Sequence, residues 1–436
     1  MPTLATPNTP LSRFLEADKL RLEQTELPIV TVSASFKEDL KGWYGLPEDE
    51  TLPDVVFSRA HYSMAVAIAS QVWGKEMDAS KAWLVDPTNY VTSGEWSKIL
   101  LTEFVGKTIA RQPILKAVKD TIDKFGRNKL PILKSITPSL LYMTENITKP
   151  ILSMHIASGN VLAEAGKTVV QVVTDPHVRP DYLNNAEKSN MTFCVFDEKT
   201  KIDFLELAAL LHKEVDPDRV IVTGPPIDPR VIAARTGKKP WTGGKLKLCL
   251  TTGGLGTNRA EIQTILAQLL PALRRRPSPF QVILYTGTQK DLYEAALKQA
   301  KEEYVSVGKI DDEDSDFRIL YHPQIVDANE LLIRLAFPWA DGFITKPSGD
   351  MAYDAVAAGC FLLTLNEWGE WEHNIRELFE QQGIARRAKS ANFREQCYFL
   401  TQNETGKRWI LTAMLAAKSK NATLAQGSKK IAQIAI

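Results

Sequence analysis

Three segments in the second half of the chain carry residue types and spacings suited to binding a phosphorylated ligand. The first is Thr251-Thr-Gly-Gly-Leu-Gly-Thr-Asn258, which runs from an apolar β-type stretch directly into a segment with helical spacing, Arg259 to Leu270. Gly253, Gly254 and Gly256 let backbone N–H groups approach an anion closely, and a helix N-terminus adds a favourable dipole. With Thr257, the loop reads as a diphosphate cradle; a tight turn that needs glycine for positive φ is the alternative. The second segment is Asp341-Gly-Phe-Ile-Thr-Lys-Pro-Ser-Gly-Asp-Met-Ala-Tyr-Asp354, a strand followed by a turn containing Lys346, Ser348 and Gly349. Asp354 then lies about one turn inside the next helix. There its carboxylate can accept from a ribose diol while turn amides face phosphate, or it can simply complement the helix dipole. The third segment is Trp368-Gly-Glu-Trp-Glu-His-Asn374, which holds Glu370, Glu372 and Asn374.

These loops need a scaffold, and the pattern along the chain supplies one. Leu27 to Ala34, Ala82 to Val85, Thr168 to Val173, Met191 to Phe196 and Arg219 to Thr223 have the apolar character of buried strands. Ser58 to Gly74 has helical apolar spacing. The texture between Thr223 and Gly244 changes to Gly-Pro-Pro, Asp-Pro and Lys-Lys-Pro-Trp-Thr-Gly-Gly, which is linker chemistry. Strands then resume at Leu246 to Leu250, Phe280 to Tyr285, Phe317 to Tyr321, Gly342 to Thr345 and Cys360 to Leu365. Alternating strands and helices predict parallel sheets covered on both faces. At 436 residues, two domains are the natural expectation. The predicted fold is α/β, two Rossmann-like doubly wound domains facing across a cleft. Residues 1–26 read as an N-terminal extension, 27–222 as the first domain, 223–244 as linker, 245–400 as the second domain, and 401–436 as a C-terminal helix and tail. Ligands in such sheets sit beyond the carboxyl ends of the strands, where the three segments fall.

The region from roughly 245 to 385 resembles the donor-binding half of a glycosyltransferase family of GT-B fold. That family includes the monogalactosyldiacylglycerol synthases, the bacterial diacylglycerol glucosyltransferases and the N-acetylglucosamine transferase of peptidoglycan lipid synthesis. Its Gly-rich loop is matched by Gly253, Gly254 and Gly256. Its Lys-Ala-Gly turn and Thr-x-x-Glu-Ala helix are matched by Lys346-Pro-Ser-Gly349 and Met351-Ala-Tyr-Asp-Ala355, which places the ribose-binding acid on Asp354. Its Gly-Gln-Glu-x-x-Asn motif aligns with Gly369 to Asn374, implying that Glu370 and Asn374 contact sugar hydroxyls, with Glu372 as a substitute acid. Asp86-Pro-Thr-Asn-Tyr90, Val173-Thr-Asp-Pro-His177 and Val222-Thr-Gly-Pro-Pro-Ile-Asp-Pro-Arg230 extend the resemblance to the first half. One departure stands out: where the family has Gly-x-Gly-His, this chain reads Ser58-Arg-Ala-His61.

The resemblance implies an inverting transfer from a UDP-sugar, the donor being a substrate, with no cofactor. Such a transfer needs a base for the acceptor hydroxyl and dipolar or positive partners for the departing diphosphate. His61, Asp175 and His177 are the expected base and orienting groups, although Asp175, before Pro176, also suits an ordinary turn. A UDP-sugar epimerase or hydrolase on the same fold, and a non-catalytic nucleotide-sugar-binding protein, are the alternatives. No metal site is expected, because the histidines are scattered and no Asp-x-Asp pair ends a strand.

Lys+Arg 53 against Asp+Glu 52 excludes a global field for nucleic acid. The cysteines, Cys194, Cys249, Cys360 and Cys397, are too far apart for a zinc site or small disulfide framework and read as buried thiols. No stretch approaches the roughly 18 apolar residues that span a bilayer, and the N-terminus lacks a secretory pattern, so a cytoplasmic protein is expected. From Lys98 to Lys134, nine basic residues stand against three acidic ones, interleaved with apolar positions at helical spacing. This reads either as a solvated helical pair or as a peripheral contact with an anionic membrane that presents a lipid-linked acceptor.

Overall fold

In the computed structural model, residues 10–35, 54–91, 101, 105, 131–404, 407–420 and 424–436 are described. The basic stretch between Lys98 and Lys134 lies almost wholly outside them. The chain divides into two compact units, Met1–Pro229 with Gln426–Ile436, and Arg230–Ala425.

The first unit is built on β1 (Leu27–Val30), β4 (Ala82–Val85), β5 (Ile151–Ser153), β6 (Val169–Val172), β7 (Met191–Val195) and β8 (Val220–Val222). A short antiparallel pair, β2 (Ala34–Ser35) and β3 (Val55–Val56), stands apart from this sheet. The six strands pair in parallel in the order β4-β1-β5-β6-β7-β8. Strand β5 was not foreseen: it has three residues after Pro150, too few to show any period, yet it lies beside β1 in the sheet. Val30, Ile151, Val169, Phe193 and Phe204 belong to one buried core, with the Phe193 and Phe204 rings 4.7 Å apart. The helix Gly427–Ala435 closes the chain on this same unit, against the helix Arg59–Trp73.

The second unit holds β9 (Leu246–Thr251), β10 (Phe280–Gly287), β11 (Phe317–Tyr321), β12 (Gly342–Thr345), β13 (Phe361–Thr364) and β14 (Ala385–Arg387). They form a parallel sheet in the order β11-β10-β9-β12-β13-β14. Every residue of β10, β12 and β13 is buried, as a sheet covered by helices on both faces requires. The strand order reverses between β9 and β12, so the loops after those strands flank a topological switch point. Leu248, Leu250, Ile265, Leu269 and Phe280 anchor the core beneath them; each such side chain contributes about 1.5–3 kcal/mol by leaving water.

Residues 229–237, inside the stretch that reads as linker, form a helix at the start of this unit. The four cysteines are free and buried, as expected. Among the described residues, no helix is long and apolar enough to cross a membrane.

Candidate functional site

The loop after β9 is shaped by backbone demands. Gly256 has φ +75° and donates its N–H to Gly253 O at 2.8 Å, while Asn258 precedes the helix Arg259–Leu273 at φ +63°. These left-handed conformations suit glycine and are tolerated by asparagine. Asn258 Nδ2 and the Asn366 amide both donate to Glu261 Oε2, at 2.9 and 3.0 Å, tying the helix start to the loop after β13. Gln289 Nε2 donates to Gly254 O at 2.8 Å.

Across the switch point, the loop meets Lys346. A Cβ added at Gly253 would stand 2.3 Å from Thr257 Oγ1 and 2.9 Å from Lys346 Cε, so any larger residue there would have to displace both side chains. Thr257 Oγ1 is buried with no hydrogen-bond partner among the described residues. Lys346 Nζ lies 2.5 Å from Glu372 Oε1, and Glu372 Oε2 accepts the Trp368 amide at 2.6 Å. Glu372 has no exposed surface, whereas the Lys346 side chain keeps about a fifth of its own. A fully buried carboxylate thus orients a partly accessible ammonium, and an unmet hydroxyl stands alongside. The arrangement can bind an anion.

The other predicted donor-side residues flank this cluster. Ser348 Oγ donates to Asp350 Oδ1 at 2.5 Å and accepts from the Met351 amide at 3.3 Å, shaping the entry to the helix Met351–Ala357. Gly349 is buried in this turn, and Asp354, on that helix, is 9% exposed. Glu370 and Asn374, one turn apart on the helix Glu370–Gln381, are exposed and half-buried respectively. The loop leading to this helix is pinned by Glu367, which pairs with Arg376 and accepts from Arg387 Nη2 with both oxygens at 3.0 Å.

Burial alone would raise the Glu367 carboxyl, but the hydrogen bond and charge of Arg376, with Arg387, bring it net below its usual value of 4.5. An acid depressed in the folded state contributes stability that is present above its unfolded pKa and lost as pH falls through the folded one. Thermal unfolding followed from pH 6 to about pH 3 is therefore expected to show a steeper loss below 4.5 in the parent than in Glu367→Gln.

In the first unit, the loop after β1 is organised by one carboxylate. Asp86, buried after β4, accepts from Ser33 N at 2.7 Å, Ser33 Oγ at 2.9 Å and Ala34 N at 3.0 Å. It also accepts from Thr88 N at 3.1 Å and Thr88 Oγ1 at 2.7 Å. Burial pushes its pKa up, against the pull of these donors. Ser33 O in turn accepts the Phe57 and Ser58 amides, and Ser58 Oγ caps the helix Arg59–Trp73 by accepting the His61 amide at 3.3 Å.

His61 is thereby set among three loops. Its Nδ1 lies 3.3 Å from Val32 O, its Nε2 lies 3.4 Å from Thr174 Oγ1, and its ring meets His155 edge-on at 5.2 Å. A carbonyl only accepts, so the Val32 contact suits the tautomer with its hydrogen on Nδ1, in which Nε2 faces the Thr174 hydroxyl. Asp175 and His177 follow Thr174 on the loop after β6, both half-buried, with His177 N donating to Asp175 O at 2.7 Å. His155, which follows the unforeseen β5, was missed with that strand. Its only signal in the sequence is a histidine just before a run of helix-compatible residues. Among the described residues, no cluster of three or more His, Cys, Asp or Glu is arranged to hold a metal ion.

No protein-family model matches the chain, and no curated protein matches it. Among solved structures, it is similar to a putative UDP-N-acetylglucosamine 2-epimerase from Listeria monocytogenes, with 11% identity and a TM-score of 0.51, over 93% of this chain and 95% of that one. It is also similar to the UDP-GlcNAc 2-epimerase from Neisseria meningitidis bound to UDP-GlcNAc, with 11% identity and a TM-score of 0.49, over 94% and 98%. Acinetobacter baumannii MurG gives 12% identity and a TM-score of 0.46, over 94% and 99%. At such identities the likeness is one of fold. With two parallel six-stranded sheets in doubly wound units, the chain has the α/β GT-B fold.

Proposed function

We propose that this protein is an inverting glycosyltransferase that takes its sugar from a UDP-sugar bound in the second unit. The observation that carries the reading is the meeting of Gly253 and Thr257 with Lys346 at the β9/β12 switch point. In this reading the diphosphate draws on the Lys346 ammonium, the Thr257 hydroxyl and the amides around Gly254 and Gly256. As the glycosidic bond to the diphosphate breaks, charge grows on its oxygens, and a fixed cation there stabilises the transition state more than the ground state. Asp354 accepts from the ribose hydroxyls, and Ser348 and Gly349 shape the turn that faces the phosphates. Glu370 and Asn374 hold the sugar. Glu372 serves by orienting Lys346.

On the acceptor side, His61 Nε2 takes the proton of the attacking hydroxyl, and Asp175 and His177 orient the groups around it. The acceptor in this proposal is lipid-linked or membrane-proximal, reached through the basic stretch 98–134 on an anionic surface at the inner face of the membrane. Cosedimentation with anionic liposomes tests that element separately.

Asp354→Ala is expected to weaken UDP binding roughly tenfold to a hundredfold, the cost of losing a charged hydrogen-bonding partner. Unchanged affinity by calorimetry removes Asp354 from the site. His61→Ala and Asp175→Ala should keep UDP affinity and lose turnover. UDP release without any acceptor would instead mark an epimerase or hydrolase, and binding without turnover on any acceptor a non-catalytic protein.

A further inference from the structure

A cavity of about 790 Å³ lies in the second unit, at the end of its sheet opposite to Gly253 and Lys346. Leu246 and Phe280, the first residues of β9 and β10, line it, so it opens at the amino ends of the strands, whereas Gly253 and Lys346 follow the carboxyl ends. Its volume falls in the range of small-molecule sites, about 300–1,000 Å³.

The lining has a defined chemistry. Arg275, Arg394 and Arg408 contribute three guanidinium groups against one carboxylate, Glu395. Arg275 and Arg394 have no carboxylate partner among the described residues, while Arg408 stacks over the Trp241 ring at 5.3 Å. Tyr398 and Phe399, at the end of the helix Phe393–Thr401, are each 62% exposed, an unusual cost for neighbouring large rings. Trp241 Nε1 is withdrawn from solvent and has no acceptor among the described residues.

These features select among ligands. A cation would meet like charge. A neutral apolar body would cover the arginines without giving them an acceptor, which is unfavourable. A flat body bearing an anionic group satisfies both: its face packs on Trp241, Tyr398 and Phe399, and its anion takes the guanidinium forks. We infer that this cavity is a second ligand site, specific for a planar organic anion such as an aromatic carboxylate, sulfonate or phosphate.

The full chain titrated with anilinonaphthalenesulfonate should give a saturable, single-site rise in fluorescence. Arg275→Ala with Arg394→Ala should weaken it about tenfold or more, by loss of charged hydrogen bonds. Tyr398→Ala, at an exposed position, should weaken it with the fold intact by near-ultraviolet circular dichroism. An aromatic carboxylate should displace the dye, and its uncharged amide should not. Saturating UDP should leave the signal in place. Binding that is unchanged in both variants, or that UDP displaces, overturns the assignment.

Discussion

Asp86→Ala should destabilise the first unit by at least about 3 kcal/mol, because three backbone amides lose a buried acceptor and each such loss costs about 1–3 kcal/mol. Two hydroxyls, Ser33 Oγ and Thr88 Oγ1, lose the same partner but can rotate toward others. The damage reaches the candidate base: the Asp86 carboxylate holds Ser33, Ser33 O holds Phe57 and Ser58, and Ser58 caps the helix that presents His61. Chemical denaturation should therefore show a lower midpoint. Asp86→Asn, which keeps an accepting oxygen, should lie between the alanine variant and the parent. An alanine variant within about 0.5 kcal/mol of the parent, the range of ordinary surface changes, would show that Asp86 does not hold this loop.

Glu372→Ala should cost the second unit about 3–5 kcal/mol, the range for breaking a buried ion pair by removing one partner. The Trp368 amide also loses its acceptor. The partial exposure of Lys346 lets water reach its ammonium, which places the expectation toward the lower end of that range. The double variant Glu372→Ala with Lys346→Ala closes a double-mutant cycle that measures the coupling of the pair. UDP affinity separates the two roles. Lys346→Ala removes the proposed phosphate partner itself, whereas Glu372→Ala keeps the cation and removes only its buried carboxylate partner, so its affinity should fall less. Equal stability in all three variants would mean that the pair neither orients nor anchors this loop.

Periodicity made most of the scaffold legible. The strands at 82–85, 317–321 and 342–345 coincide with the runs that announced them, and the last, buried along its whole length inside the sheet, is apolar as coverage on both faces requires. The helix after Ser58 and the glycine loop after β9 were likewise readable, since capping and positive φ are local demands that residue type satisfies directly. Strand β5 was not, because Ile151–Ser153 becomes a strand through its neighbours β1 and β6 rather than through any pattern of its own. His155 was lost with it.

The sequence by itself therefore determined the fold class, the loops that bear Gly253, Lys346 and His61, and the segment that carries Glu372. Only the tertiary structure decided which of these meet. Gly253 and Lys346 are far apart in the chain, yet β9 and β12 are neighbours in the sheet, and the missing Cβ lets the lysine pass. Glu372 reads from the sequence as a substitute acid, and its full burial and its bond to Lys346 are visible only in the tertiary structure. The reason is physical: strand and cap preferences are set by a residue and its near neighbours, whereas strand order, burial and charge pairing depend on contacts between segments that no local pattern encodes.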